Sequence, residues 1–113
     1  MAVLDVVIEE RVKQAIRALS QYARVKAVYV FGSQIEGKTD EFSDIDIGVF
    51  IEHFDDWDLR RRVRTIALVQ EKAGDDLEIH LFPAEALTHA EPASFAAYIL
   101  KHGIPVAIDG KNS

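Results

Sequence analysis

The sequence contains no cysteine, which excludes disulfide bonds, thiolate zinc sites and thiol nucleophiles. It also lacks an apolar run long enough to span a bilayer, and it has no internal repeats or low-complexity segments. Its first fourteen residues acquire acidic side chains earlier than a secretory signal peptide does. We therefore expect a cytoplasmic protein without membrane association and, at 113 residues, a single domain over residues 1–113.

Basic residues are in the minority. The chain has 13 lysines and arginines against 19 aspartates and glutamates, which gives a formal net charge of −6. Binding along a nucleic-acid backbone requires a basic surface, so we expect no nucleic-acid partner. A single nucleotide is a different case, because a metal ion and a few donors can neutralise its phosphates locally. The charge balance therefore leaves nucleotide binding open.

Two strand-like runs flank a polar loop within the stretch from Tyr29 to Ile51. The first run, Val28 to Phe31, is β-branched and aromatic, and it stops at Gly32-Ser33. Glycine and serine permit a sharp turn with exposed backbone N–H groups, and a helix beginning after them would add its positive dipole end. The turn therefore predicts a phosphate-sized niche formed by Gly32 and Ser33.

The second run, Asp44 to Ile51, alternates with period two, so Asp44 and Asp46 share one face about 7 Å apart. Aspartate is depleted in strands and like charges at this distance repel. A divalent cation would remove the repulsion, and Mg²⁺ commonly binds one or two carboxylates together with substrate phosphates. The pattern favours a metal site over the alternative, an ordinary hairpin with solvated aspartates.

Gly32-Ser33 is followed after ten residues by Asp44-Ile45-Asp46, and Ser43 lies directly before the first aspartate. This arrangement resembles the signature of the DNA polymerase beta nucleotidyltransferase superfamily, in particular its small members, the minimal nucleotidyltransferases. The resemblance implies an α+β nucleotidyltransferase fold, with a mixed sheet of about four strands and helices packed mainly on one face. It also implies that Gly32, Ser33 and Ser43 bind the nucleotide.

The same resemblance implies a reaction in which AMP is transferred from ATP to a hydroxyl acceptor. Two Mg²⁺ ions would be the cofactors, with Asp44 and Asp46 as catalytic residues and metal ligands. Relatives often carry an arginine before the loop glycine, where this chain has Glu36, and Lys38 is the nearest basic substitute. The departure weakens the expectation of a phosphate contact at that point.

A third alternating run, Asp75 to Phe82, predicts a strand beside the first two. The resemblance takes a third catalytic carboxylate and metal ligand from a strand in this place, and Glu78 lies centrally on its polar face. Asp76, two residues earlier, is the alternative. His80 is a candidate to orient the glutamate or to contact substrate, although an ordinary hydrogen-bonded histidine fits the sequence equally well.

The remaining periodicity predicts elements that pack around these strands. Trp57 is expected to anchor the start of the second helix in the rim of the core. The arginines of that helix favour a solvated face, with a triphosphate or an acidic partner as the alternative. The predicted elements are a helix from about Leu4 to Tyr22, a helix to about Lys72 with Leu59, Val63, Ile66, Ala67 and Gln70 at helical spacing, a turn at Pro83 to Leu87, a helix after Pro92 with Phe95, Tyr98, Ile99 and His102 on one side, and an edge strand at Ile104 to Ile108.

Small members of the superfamily often act as antitoxins that adenylylate a helical partner protein of the HEPN type. The resemblance therefore implies such a partner and a role in a toxin-antitoxin pair. Two alternatives remain open, namely a binding module that has kept the fold and lost catalysis, and an enzyme that modifies a small molecule. A homo-oligomer is also compatible with the sequence.

Overall fold

The computed structural model describes residues 5–32 and 44–108 of the chain. Within these ranges the predicted helices and strands are present, with bounds that differ from the expected ones by a few residues. In chain order they are α1 (Val6–Leu19), β1 (Val25–Phe31), β2 (Ile45–Ile51), a 3₁₀ turn (Phe54–Asp56), α2 (Leu59–Ala73), β3 (Leu77–Pro83), α3 (Ala86–His89), α4 (Phe95–His102) and β4 (Ile104–Val106).

The four strands form one mixed sheet in the order β3-β2-β1-β4. Strand β1 is antiparallel to both β2 and β4, whereas β2 and β3 are parallel. Parallel neighbours need a long crossover connection, which α2 supplies between β2 and β3. Pro105 lies in the edge strand, where a missing N–H group is tolerated. The α+β class and the mixed four-stranded sheet are thus confirmed.

One face of the sheet is apolar and packs against the two longest helices. The period-two alternation of β2 places Ile45, Ile47, Val49 and Ile51 on this face, and each is at most 1% exposed. Their partners from the helices are Val12, Ile16 and Leu19 of α1 and Val69 and Ala73 of α2. This layer is the main hydrophobic core, and it accounts for the predicted packing of helices on one face.

The opposite face carries the polar positions of β2 and β3 and is covered in its middle by α4. A Cβ atom at Gly48 would lie 3.2 Å from two side-chain carbons of Ile99, so the glycine lets this helix lie close to the strand. Phe50 and Phe82 stack beneath it with ring centroids 5.2 Å apart. The helix therefore covers the central part of this face, while the end with Asp46 stays partly exposed.

The prediction of which α2 residues face the core is wrong for the first two turns of the helix. Leu59 and Val63 are 70% and 58% exposed, and the buried positions are Thr65, Val69 and Ala73. These three residues recur every four positions and form the stripe that meets the core. Because Thr65 is polar, a pattern of apolar residues alone does not include it, and the predicted buried stripe of α2 is displaced towards Leu59 and Val63.

The start of α2 agrees with the prediction. Trp57 is 3% exposed and joins the core, and the Arg61 guanidinium carbon lies 3.9 Å from the centre of its ring. Asp58 caps the helix by accepting a hydrogen bond of 2.8 Å from the Arg61 backbone N–H. Among residues 5–32 and 44–108, no helix combines the length and the apolarity needed to cross a membrane.

Arg11 ties α1 to the segment that joins α2 and β3. Its guanidinium donates to both carboxylate oxygens of Asp76, in one case over 2.7 Å, and to the Ala73 carbonyl over 3.0 Å. Gly74 has a φ of +124°, and a Cβ atom there would collide with the guanidinium. Hydrogen bonding by Arg11 lowers the pKa of Asp76 from its ordinary value.

We expect Asp76→Asn to destabilise the protein only where the wild-type carboxylate is charged. Because the pKa of Asp76 is lowered in the folded state, the ion pair stabilises the fold above the ordinary aspartate pKa of about 3.9. The contribution is lost as pH falls through the lower folded-state pKa. Since the pair is partly exposed, the loss at neutral pH should be about 1 kcal/mol or less.

Urea unfolding of wild type and Asp76→Asn at several pH values between 7 and the acid limit measures this difference. The matched control is Asp75→Asn, which removes the exposed neighbouring carboxylate. A stability difference for Asp76→Asn that stays constant as the pH is lowered below about 4 would contradict the assignment.

Candidate active site

Asp46 lies where the ends of three strands meet. It is paired with Phe31 at the end of β1 and with Glu78 near the start of β3. Strands β2 and β3 are parallel and in register, so Asp46 and Glu78 are direct neighbours across about 4.8 Å of sheet. Gly48 and His80 are paired two residues further along the strands. Because side chains alternate along a strand, His80 lies on the same face as Glu78.

Three side chains converge at this end of the sheet. One ligand atom each of Asp46, Glu78 and His80 lies within 4.8 Å of the other two. The His80 Nε2 atom is 3.8 Å from Asp46 Oδ1, a distance too long for a hydrogen bond. Within the described ranges this nitrogen is buried and has no hydrogen-bond partner. The group therefore combines two carboxylates with an unsatisfied ring nitrogen.

The His80 ring is fixed by aromatic neighbours from two other elements. Its centroid lies 5.4 Å from that of Phe31 in β1 and 5.4 Å from that of Phe95 in α4. The Phe95 ring meets the His80 ring edge-on, at 89°, which is a favourable arrangement for aromatic pairs. The imidazole is thus oriented by packing, with its Nε2 atom directed towards the carboxylates.

Burial raises the pKa of the Asp46 carboxyl, because the charged form is partly desolvated at this position. Proximity of His80 works in the opposite direction, and the negative charge of Asp44 raises the pKa further. Asp44 is exposed and lies directly before β2. A cation between these acids would favour their charged forms and remove the repulsion.

Gly32 makes room for the Asp46 side chain. It ends β1 with a φ of +82°, and a Cβ atom there would lie 2.5 Å from Asp46 Oδ2. Only glycine adopts this conformation without strain and leaves the carboxylate in place. Of the predicted nucleotide-binding residues, Gly32 lies within the described ranges. Ser33 and Ser43 lie outside the described residues, as do Glu36 and Lys38.

The predicted acids fall into two groups. Asp46 and Glu78 come together, and Asp44 precedes Asp46 by two residues at the same end of β2. Asp76 lies elsewhere, with both carboxylate oxygens bonded to Arg11, so the expectation that it shares the face of Glu78 is wrong. The reason is that Asp76 precedes β3, where strand alternation does not yet apply.

The sequence did not identify His80 as a member of a donor group. It indicated a histidine on the polar face of β3 but gave no distance to Asp46. The missing information is the register of β2 against β3, which pairs Gly48 with His80 and leaves no side chain from position 48 between the ring and Asp46. The hydrophobic pattern fixes which face each residue occupies, but the sequence does not state which residue of β2 is paired with which residue of β3.

The residues present fit a divalent cation. Two carboxylates supply oxygen donors, the buried Nε2 atom of His80 lacks another partner in the described ranges, and Gly32 keeps the space beside Asp46 clear. Oxygen donors with a few waters suit Mg²⁺, and an added nitrogen suits first-row transition ions. The site can therefore hold a metal against the phosphates of a bound nucleotide.

The described residues thus form a mixed sheet with acidic side chains at one end, next to a glycine turn. The family model described as "Polymerase beta, Nucleotidyltransferase" matches residues 13–109. The chain belongs to this nucleotidyltransferase family, whose reaction is nucleotidyl transfer. The matched range includes every residue of the acidic group. A search of curated proteins found no match.

We expect Gly32→Ala to destabilise the protein through both the backbone and Asp46. The left-handed conformation alone should cost about 1–2 kcal/mol, and the new methyl group would displace the Asp46 carboxylate. In an Asp46→Ala background the second contribution disappears, so the loss caused by Gly32→Ala should be smaller there. Equal losses in the two backgrounds, measured by urea unfolding, would show that Gly32 does not make room for Asp46.

Proposed function

We propose that the protein transfers AMP from ATP to a hydroxyl acceptor. The acceptor oxygen forms a bond to the α-phosphorus, the bond from that phosphorus to the bridging oxygen breaks, and pyrophosphate leaves. The hydroxyl proton passes to a carboxylate or through water. The observation that carries the proposal is the adjacent pair Asp46 and Glu78, in a chain that belongs to a nucleotidyltransferase family.

In this proposal the three acids bind two metal ions. Asp44 and Asp46 hold the metal that faces the phosphates, and Gly32 with Ser33 and Ser43 accommodates the triphosphate. Glu78 is exposed, so it can face the acceptor, hold a metal ion there and assist the loss of the hydroxyl proton. Bound Mg²⁺, as two ions, would supply charge neutralisation for the phosphate oxygens and the leaving pyrophosphate.

Glu78 is supported as the third acid by its surroundings. It is the register partner of Asp46 and belongs to the donor group. The carboxylate of Asp76 is already paired with Arg11, and that pair links α1 to the segment before β3. A group engaged in such a structural contact is poorly placed to bind a metal at the end of the sheet.

We expect Asp44→Asn, Asp46→Asn and Glu78→Gln each to lower transfer by about 10²-fold or more, the usual range for lost acid-base or charge contributions. Asp76→Asn is the matched control and should keep most of the activity. Transfer is measured as Mg²⁺-dependent release of pyrophosphate from ATP in the presence of acceptor. Near-normal transfer by Asp46→Asn, or a larger loss for Asp76→Asn than for Glu78→Gln, would refute the assignment of the acids.

The proposed acceptor is a hydroxyl group on a separate protein. Two features support a macromolecular acceptor. Glu78 is exposed at this end of the sheet. Phe95, which contacts the His80 ring, and Tyr98, which stacks on Phe95, expose 47% and 43% of their surface. Exposed aromatic side chains next to a reactive site are well suited to bind a protein surface. A HEPN-type helical protein, with this chain as its antitoxin, is the partner that the family resemblance suggests.

A binding role without catalysis is the second candidate. Leu59 and Val63 of α2 are largely exposed, and Arg60, Arg61 and Arg64 lie exposed among them. An apolar pair surrounded by arginines favours an acidic protein surface. This surface lies on α2 and not at the acidic end of the sheet, so it could bind a partner whether or not transfer occurs.

Co-expression with the product of a neighbouring gene, with ATP and Mg²⁺ present, distinguishes these functions. Intact-mass spectrometry should show a partner that has gained the mass of AMP, and no gain with Asp46→Asn. A tight but unmodified complex would contradict the enzyme and support the binding module. If no partner binds and a small hydroxylated compound is modified instead, the proposal of a protein acceptor is wrong.

A further inference from the structure

His80 carries an unexplained buried nitrogen. In the part of the chain that the structure describes, its Nε2 atom is a buried side-chain polar atom without a hydrogen-bond partner. Such an atom costs about 1–3 kcal/mol when it is left unsatisfied, and most are paired. The ring cannot readily turn away, because Phe31 and Phe95 contact it from β1 and α4. Something at the end of the sheet is therefore expected to bind this nitrogen.

An ion pair with Asp46 explains the arrangement poorly. A charge-assisted hydrogen bond between a histidine and a carboxylate is about 2.7–2.9 Å long, whereas Nε2 and Asp46 Oδ1 are 3.8 Å apart. Two ligands on one ion fit this separation better. Donors at about 2.1 Å from an ion are about 3.0 Å apart at right angles and about 4.2 Å apart when opposite.

The position of Glu78 adds the third donor. Its carboxylate lies within 4.8 Å of both the Asp46 and His80 donor atoms. Because Glu78 is exposed, a small side-chain rotation can bring its oxygen onto a shared ion, while the strand register fixes the three backbones relative to one another. Two carboxylate oxygens and one imidazole nitrogen are a mixed donor set. Mg²⁺ prefers oxygen alone. Imidazole suits first-row transition ions, and Mn²⁺ is the ion of that row that shares the preference of Mg²⁺ for carboxylate oxygen.

We propose that His80 is a metal ligand together with Asp46 and Glu78, and that this site binds Mn²⁺ more tightly than Mg²⁺. The inference rests on the proposed placement of a metal at this end of the sheet, and it changes the identity of the preferred ion. In this arrangement Asp44 would bind a second ion, together with the nucleotide phosphates. The aromatic contacts of His80 then have a role, because they hold the ligand in position before the ion binds.

The direct test uses the wild-type chain with Mn²⁺ and without nucleotide. Pulsed electron paramagnetic resonance of the bound ion should show coupling to an imidazole ¹⁴N nucleus. Titration followed by the signal of free Mn²⁺, repeated with Mg²⁺ as competitor, should give an affinity for Mn²⁺ at least about tenfold above that for Mg²⁺. Absence of ¹⁴N coupling, or of Mn²⁺ binding at millimolar concentration, overturns the proposal without any variant.

His80→Phe keeps an aromatic ring between Phe31 and Phe95 and removes the nitrogen. We expect it to lower the affinity for Mn²⁺ by about 10–100-fold, the usual range for a weakened metal site, and to affect Mg²⁺ much less. The matched control is His89→Gln, which removes an exposed imidazole on α3. An unchanged preference for Mn²⁺ in a folded His80→Phe variant would exclude His80 as a ligand.

These measurements separate the metal site from the reaction. Nitrogen-coordinated Mn²⁺ in a protein that never transfers AMP would support the ligand assignment and contradict the proposed function. Transfer that depends on Asp46 and Glu78, in a protein whose bound Mn²⁺ shows no nitrogen coupling, would support the function and overturn the role of His80.

Discussion

The repulsion between neighbouring carboxylates is the constraint on which this arrangement depends. The parallel register of β2 and β3 places Asp46 beside Glu78. Asp44 lies directly before β2, two residues ahead of Asp46. Like charges at this separation destabilise a sheet, and partial burial adds to the cost at Asp46. A cation bound between the acids would offset this repulsion, which is why we place a metal site at this end of the sheet.

Packing elsewhere in residues 5–32 and 44–108 supports this end of the sheet. Helices α1 and α2 bury the apolar face, and the Arg11 contacts with Ala73 and Asp76 hold the approach to β3. On the other face, Gly48 lets α4 lie close over the centre of the sheet. The helix begins beside His80 with Phe95, and Glu78 is exposed. A rigid support under a reactive end is what preorganised transfer requires.

The strands and the two long helices could be predicted from the sequence, because alternation and helical periodicity are local signals. The catalytic roles of Asp44, Asp46 and Glu78 came from the family resemblance and stay predictions. The buried stripe of α2 could not be predicted, since a buried threonine at position 65 takes the place of an apolar residue. His80 and Asp76 also needed the structure. Their contacts depend on the register of β3 and on Arg11, which is 65 residues from Asp76 in the chain.

The central claim is that Asp46 and Glu78 bind metal at this end of the sheet, beside the nucleotide. Anomalous diffraction from crystals grown with Mn²⁺ and a non-hydrolysable ATP analogue tests it most directly. We expect an anomalous peak about 2.0–2.2 Å from an oxygen of each acid, with the triphosphate beside the Gly32 turn. A nucleotide bound elsewhere on the protein, or an ion that contacts neither acid, would contradict the account.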